Sequence, residues 1–249
     1  MKSKNIKAAA LIAALCTLFL AVSPSASYSW YCMRKKNHER PSCESNMSFI
    51  ENYKAYYLGS DENVLYLTFD AGYENGNVER ILDTLKKHNV PAAFFVLENL
   101  IKRNTDLVKR MESENHLVCN HTSKHKDMTR MSKDEFESEL RSLEKTAEEN
   151  GITLNRFYRP PEGKFSEENL KYAEEMGYKT VLWSLAYADW DNNRQPSCGG
   201  AMKILTDNLH NGAIILLHPT SKTNADILDQ FLTYCKNEGY RFGSLDELS

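Results

Sequence analysis

Asp70, His121, His125, Arg159, Asp189 and His218 are residue types that carry hydrolytic chemistry, and each is expected just past the end of a strand. A carboxylate can take a proton from water, and an imidazole can deliver one to a leaving group near neutral pH. Two imidazoles four residues apart, as at His121 and His125, share one side of a helical turn at a spacing that chelates a divalent cation. Taken singly these signals are weak. An aspartate after a strand commonly forms a turn, and a lone histidine is commonly a hydrogen-bonded structural residue. The histidine pair by itself leaves metal binding and a structural role open. Topology is what joins them: where parallel strands alternate with helices around a barrel, the loops at the strands' carboxyl ends meet at one mouth.

The elements needed for that arrangement are legible as periodicity. Strands are expected at residues 64–69, 92–96, 117–120, 156–159, 180–184, 213–217 and 239–242. Helices are expected at 78–88, at 106–114 with Thr105 as cap, from Ser132 to about 150, and from near Ser166, Gly200 and Asn224. Ser132 and Glu135 make a capping box, and Gly151, Gly177 and Gly239 stand where helices should stop. The fold class is therefore α/β, a distorted (β/α) barrel of about seven parallel strands, with an open doubly wound sheet as the alternative. Gly72 permits a sharp turn after Asp70, and Pro160 and Pro161 stiffen the chain after Arg159. A fixed arginine beside a carboxylate lowers its pKa and sets its direction. Residues 213–217 are apolar on both faces, so His218 emerges from a buried strand.

A chain of 249 residues, 41% hydrophobic and 26% charged, fits one large globular domain. Lys2, Lys4 and Lys7 precede an uncharged apolar run at 8–22 and small residues at 25–27, the pattern of a secretory leader over residues 1–27. The run is shorter than the roughly 20 residues that span a bilayer, which favours cleavage over an anchor. Residues 28–62 lack sustained periodicity and are expected to form an N-terminal extension packed on the main domain, 63–249. The net charge of −3, more acidic once three leader lysines are lost, argues against nucleic-acid binding. Arg34, Lys35 and Lys36 read as a solvated surface cluster, with contact to an anionic polymer as the alternative. Past the leader, Cys32, Cys43, Cys119, Cys198 and Cys235 are odd in number and lack C-x-x-C spacing, so neither a complete disulfide framework nor a zinc knuckle is indicated. Cys32 and Cys43 could close a short loop, and Cys235 sits on an apolar helical face.

Thr68-Phe69-Asp70-Ala71-Gly72, His121-Thr122-Ser123-Lys124-His125, Arg159-Pro160-Pro161-Glu162-Gly163, Asp189-Trp190 and Leu216-Leu217-His218 occur in this order. Together they resemble the five motifs of the polysaccharide deacetylase family, the NodB homology domain of carbohydrate esterase family 4, over roughly residues 62–243. Trp30, Arg34, Asn37-His38, Pro41, the run 53–59 and Gly72-Tyr73-Glu74-Asn75-Gly76 further resemble the delta-lactam-biosynthetic de-N-acetylases. Those enzymes remove acetyl from peptidoglycan muramic acid whose stem peptide is gone, on the route to the lactam of spore cortex. The resemblance implies Asp70 as general base, His218 as general acid paired with Asp189, and Arg159 steering the base. It implies His121 and His125 as ligands of a divalent metal, zinc or manganese. Trp190, Glu162, Tyr73 and Asn75 would contact substrate, with a backbone N–H near Glu162 helping to bind the oxyanion. The implied partner is a peptidoglycan glycan strand at the cell wall, with no nucleic acid and no stable protein partner.

The chain departs from the family at Ala71, where most relatives carry an Asp that is the third metal ligand and the delta-lactam branch often an Asn. A methyl group cannot ligate, so metal affinity should be weakened. Cys119 shares strand parity with His121 but lies two residues lower, roughly 6.6 Å down the barrel, and reads as a packing residue. Glu162 replaces a tyrosine or arginine of relatives, and Pro219 follows His218. Two function classes follow: an active de-N-acetylase, of peptidoglycan or another acetylated polysaccharide, or a glycan-binding module that lost catalysis through Ala71. An intact acid and base favour the enzyme.

Overall fold

The computed structural model describes residues 26–31, 34–35 and 37–248. The leader expected at 1–27, its last two residues excepted, and Cys32 lie outside the described residues. Two short strands, β1 (Ser27–Ser29) and β2 (Ala55–Tyr56), precede a regular alternation. It runs through β3 (Val64–Ala71), α1 (Asn77–His88), β4 (Ala93–Val96), α2 (Glu98–Arg103), α3 (Thr105–Ser113), β5 (Leu117–Asn120), α4 (Lys133–Glu149) and β6 (Asn155–Tyr158). It continues through β7 (Lys164–Ser166), α5 (Glu167–Glu175), β8 (Lys179–Val181), β9 (Leu185–Ala186), α6 (Cys198–Asp207), β10 (Ala213–Leu217), α7 (Lys222–Asn237) and β11 (Arg241–Gly243).

Nine strands form one sheet in the order β2-β8-β6-β5-β4-β3-β10-β9, with β11 also on β3, and every ladder in it is parallel. β8 and β9 are neighbours in the chain yet lie towards opposite ends of this order, so the sheet must curl until its ends meet. The closing contacts join the residues after β2 to the start of β10: a bridge between Leu58 and Ala213, and Gly59 N–H to Gly212 O at 2.8 Å. The result is the expected distorted barrel. It has more strands than foreseen because β9, just beyond the strand expected at 180–184, and β2, from the segment before residue 63, join the sheet.

Period-two alternation sorts β3 into two rows. Leu65, Leu67 and Phe69 face the helices, packing in one apolar cluster with Ile81, Leu85 and Phe231. Val64 and Tyr66 face the barrel interior with Phe95, Cys119 and Ile214, and Thr68 and Asp70 extend that inner row upward. Cys119 is thus a fully buried packing residue, and Cys43, Cys119, Cys198 and Cys235 are free thiols. The capping box at Ser132 and Glu135 opens α4 as its sequence dictates. Thr105 does not cap α3: the unforeseen α2 ends at Arg103, Asn104 takes the cap position, and Thr105 Oγ1 donates back to Ile101 O at 2.8 Å.

Candidate active site

Arg159 is fully buried at the end of β6, and each part of its guanidinium has a partner. Nη1 donates to Asp70 Oδ1 at 2.8 Å, Nη2 to Thr68 Oγ1 at 2.9 Å and Leu182 O at 3.3 Å, and Nε to Val181 O at 3.0 Å. Its plane lies over the Phe95 ring, with Cζ 4.1 Å from the centroid. A rigid fork of this kind aims the carboxylate as well as neutralising it. Burial alone would raise the Asp70 carboxyl, but the Arg159 charge foremost, aided by His121 and His218, holds it below the usual carboxylate range.

His121 and His125 were expected on a helical turn. The backbone there is an irregular loop instead, with Thr122 at φ 71 and His125 at φ 53. Asn120 Oδ1 accepts from Thr122 N–H at 2.8 Å and Thr122 Oγ1 from His125 N–H at 3.0 Å, so local side-chain acceptors outcompete the helix. The loop still brings the rings together edge to face, 4.9 Å between centroids. His121 Nδ1 lies 2.9 Å from the carbonyl of Arg159, which can only accept, so Nδ1 carries the proton and Nε2 presents a lone pair. Burial pushes the His121 pKa down to about 4, keeping the ring neutral at pH 7. Nε2 faces Asp70 Oδ2 at 3.5 Å, and two electron-pair donors aimed at each other suit a shared cation or proton. The tautomer of His121 and the donor chemistry of the two imidazoles therefore fit a divalent cation. Among the described residues no group of three or more His, Cys, Asp and Glu side chains forms a metal-holding set, and Ala71, fully buried in the outer apolar cluster, supplies no third donor.

His218 follows β10, which lies between β3 and β9. Asp189 Oδ1 is 2.7 Å from its Nδ1, while Asp189 Oδ2 accepts from the His218 backbone N–H at 2.7 Å and from Asn224 Nδ2 at 2.6 Å. Asp189, itself buried, therefore fixes the ring's tautomer and leaves Nε2 facing outward. Burial disfavours the imidazolium, but the charge and hydrogen bond of Asp189, with a further contribution from Asp70, outweigh it and raise the His218 pKa above its ordinary value. Asn224, on the first turn of α7, is a positioning residue that sequence reasoning missed; its only signal was its place at the expected helix start.

Asp70, His125 and His218 open into one cleft of 780 Å³. Glu162 lines it from a left-handed turn at φ 56, its carboxylate paired with Lys164 at 2.6 Å, and Trp190, 63% exposed, stands edge to face with His218. Tyr73 is exposed and takes a hydrogen bond from Asn192, and Asn75 spends its amide on Thr220 O at 2.9 Å; neither lines the cleft. The wall foreseen least is built by Trp30, Tyr31 and Arg34, with Trp183 and Tyr187 beside them. Gly163, at φ +66, is what lets Trp30 approach, since a Cβ there would sit 2.7 Å from Trp183 Cη2 and 3.2 Å from Trp30 O. Gly163→Ala should lower stability by about 1–3 kcal/mol through overpacking in a strained backbone region. An unchanged urea midpoint would mean that the wall yields freely.

A carboxylate held by an arginine, an imidazole held by a carboxylate and a further imidazole pair beside one cleft are groups that can hydrolyse an acyl bond. The pattern of the family described as polysaccharide deacetylase matches residues 58–181. The chain is 42% identical over 228 residues to peptidoglycan-N-acetylmuramic acid deacetylase PdaA of Bacillus subtilis, covering 90% of this chain and 87% of that protein. The crystallographic fold of B. subtilis PdaA, a family 4 carbohydrate esterase, superposes with a TM-score of 0.86 at 41% identity, over 91% of this chain and 98% of the other. A family 4 carbohydrate esterase from Bacillus anthracis superposes with a TM-score of 0.74 at 36% identity, over 90% and 96% of the two chains.

Proposed function

This chain belongs to the polysaccharide deacetylase family, the family 4 carbohydrate esterases, and from that premise and its cleft we propose that it hydrolyses the N-acetyl amide of peptidoglycan sugars, N-acetylmuramic acid foremost. The observation that carries this reading is the pairing at one cleft of Asp70 held by Arg159 with His218 held by Asp189. Asp70 takes a proton from water as the oxygen attacks the acetyl carbonyl. The C–N bond then breaks as His218 Nε2 passes its proton to the departing amine, leaving acetate and a free amino sugar. Arg159 keeps Asp70 ionised and aimed, and Asp189 keeps His218 protonated. His121 and His125 would hold a divalent cation, zinc or manganese, which when bound lowers the pKa of water to about 7 and polarises the carbonyl. Trp190 and Glu162 border the sugar, whereas Tyr73 and Asn75 stand off the cleft.

The substrate lies outside the cytoplasmic membrane, which agrees with the exported leader read in residues 1–27 and with a cell-wall location; among the described residues no helix is long and apolar enough to cross a membrane. Muramic acid freed of its amide acetyl can close a delta-lactam, which makes a spore-cortex role the natural biological extension. The test is acetate release from denuded muramic glycan strands, with chelator, with added zinc or manganese, and with His218→Ala as control. Ala71 favours one second reading, a glycan-binding module without turnover. Binding of strands with no release under any metal condition would support it and sink the enzyme.

Ala71→Asp is expected to tighten zinc binding measured by calorimetry, because an aspartate at the last residue of β3 that turns out of the apolar layer towards the histidine pair adds an anionic third ligand. It should also cost about 1–3 kcal/mol of stability in the metal-free protein, since Ala71 is buried among apolar side chains. Unchanged affinity would mean that position 71 does not reach the histidine pair.

A further inference from the structure

Trp30, Tyr31 and Arg34 line one edge of the cleft, and the segment is fastened there chiefly through the backbone of neighbouring elements. β1 pairs antiparallel with β7, and Trp30 N–H donates to Gly163 O at 2.8 Å. Trp30 Nε1 reaches Trp183 O at 2.8 Å, and Arg34 Nη2 donates to Ala186 O at 3.0 Å. Ala186 is in register with Leu216, two residues before His218, so this last bond sets the guanidinium on the acid's side of the cleft. Arg34 is therefore solvent-exposed, as the surface-cluster reading has it, and at the same time a lining residue of the cleft.

The charges around the cleft are otherwise neutralised within the protein. Asp70 pairs with Arg159, Glu162 with Lys164, and His218 with Asp189. Among the described residues no carboxylate forms an ion pair with Arg34, although its side chain lines the same space. An always-charged planar fork, one donor of which is committed to a main-chain carbonyl, suits a planar anion arriving with the ligand. Tyr31, 54% exposed beside it, offers a ring face of the kind on which a sugar packs.

We propose that Arg34 is a specificity residue that binds the carboxylate of the substrate, the free lactyl acid of a muramic residue. This rests on the deacetylase reading for the identity of the sugar. In a peptide-bearing strand the same carboxyl is tied up as a neutral amide, so Arg34 favours strands whose stem peptides have been removed.

The experiment compares kcat/KM for acetate release from denuded strands with free lactyl acids, from the same strands after reduction of the carboxyl to an alcohol, and from peptide-bearing strands. Wild type is expected to prefer the free acid by about tenfold or more, the scale of a charge-assisted hydrogen bond. In Arg34→Ala the preference collapses towards unity, largely through KM, and Arg34→Lys retains part of it. Melting temperatures of the variants separate a lost contact from a displaced wall. Equal preference in wild type and Arg34→Ala overturns the proposal while leaving the deacetylase reading intact. Should no strand release acetate, the deacetylase reading fails, and calorimetric titration of acid and reduced strands still decides the subsite. Tighter binding of the acid by wild type alone supports it, and equal affinities overturn it.

Discussion

His218→Ala is expected to reduce acetate release by at least about 100-fold, because loss of a positioned general acid removes a contribution of this order or larger. Asp189→Asn is the more informative variant, since it keeps the shape of the support and removes its charge. Asp189 raises the His218 pKa against the effect of burial, so the acid stays protonated above its ordinary pH range. The basic limb of the kcat/KM profile should therefore lie above pH ~6.5 in wild type and move to lower pH in Asp189→Asn. Stability follows the same sign. A histidine whose folded pKa is raised stabilises the protein fully below about pH 6.5, its unfolded value, and this contribution fades as pH rises through the folded pKa. Melting temperature should fall over that interval in wild type and do so less in Asp189→Asn. A basic limb that stays in place would show that the titrating acid is another group.

Arg159→Leu is expected to be the most destabilising single change at the site, by about 3–5 kcal/mol, because it strands a buried carboxylate. It also leaves Thr68 Oγ1 and the carbonyls of Val181 and Leu182 without the donors they now have. In wild type the Asp70 pKa is lowered, so its contribution is present above about pH 3.9 and is lost as pH falls through the folded value. In Arg159→Leu that sign reverses: burial without the cation raises the carboxyl, and the variant should be relatively less handicapped in acid than at pH 7. Adding Asp70→Leu removes the stranded charge and should restore part of the lost stability while leaving the protein inactive. Urea denaturation of the single and double variants at two pH values measures both effects. An additive double variant would mean that the ion pair is not the source of the loss.

Much of this architecture was readable because buried parallel strands leave a strong trace. The run Ala213–Leu217 is apolar on both faces, and all five residues are buried. The rule that loops at strand carboxyl ends converge then made neighbours of Asp70, His121, Arg159 and His218 although they are far apart in the chain. Where the reading failed, a local competitor had decided the outcome. Asn120 and Thr122 side chains took the backbone N–H groups that a helical turn at 121–125 would have used, and the short helix α2 displaced Thr105 from its cap.

Residue types and their order were enough to specify the α/β barrel and to bring Asp70, His121, His125 and His218 to one end of it, because strand periodicity and strand-end placement are properties of consecutive residues. Only the tertiary structure could decide that the exposed Arg34 lines the cleft, that Asn224 helps orient Asp189, and that Ala71 faces the helices' apolar layer. Each of these depends on contacts between segments distant in the chain, whose energies come from burial and hydrogen bonding in the folded state and leave no local pattern to read.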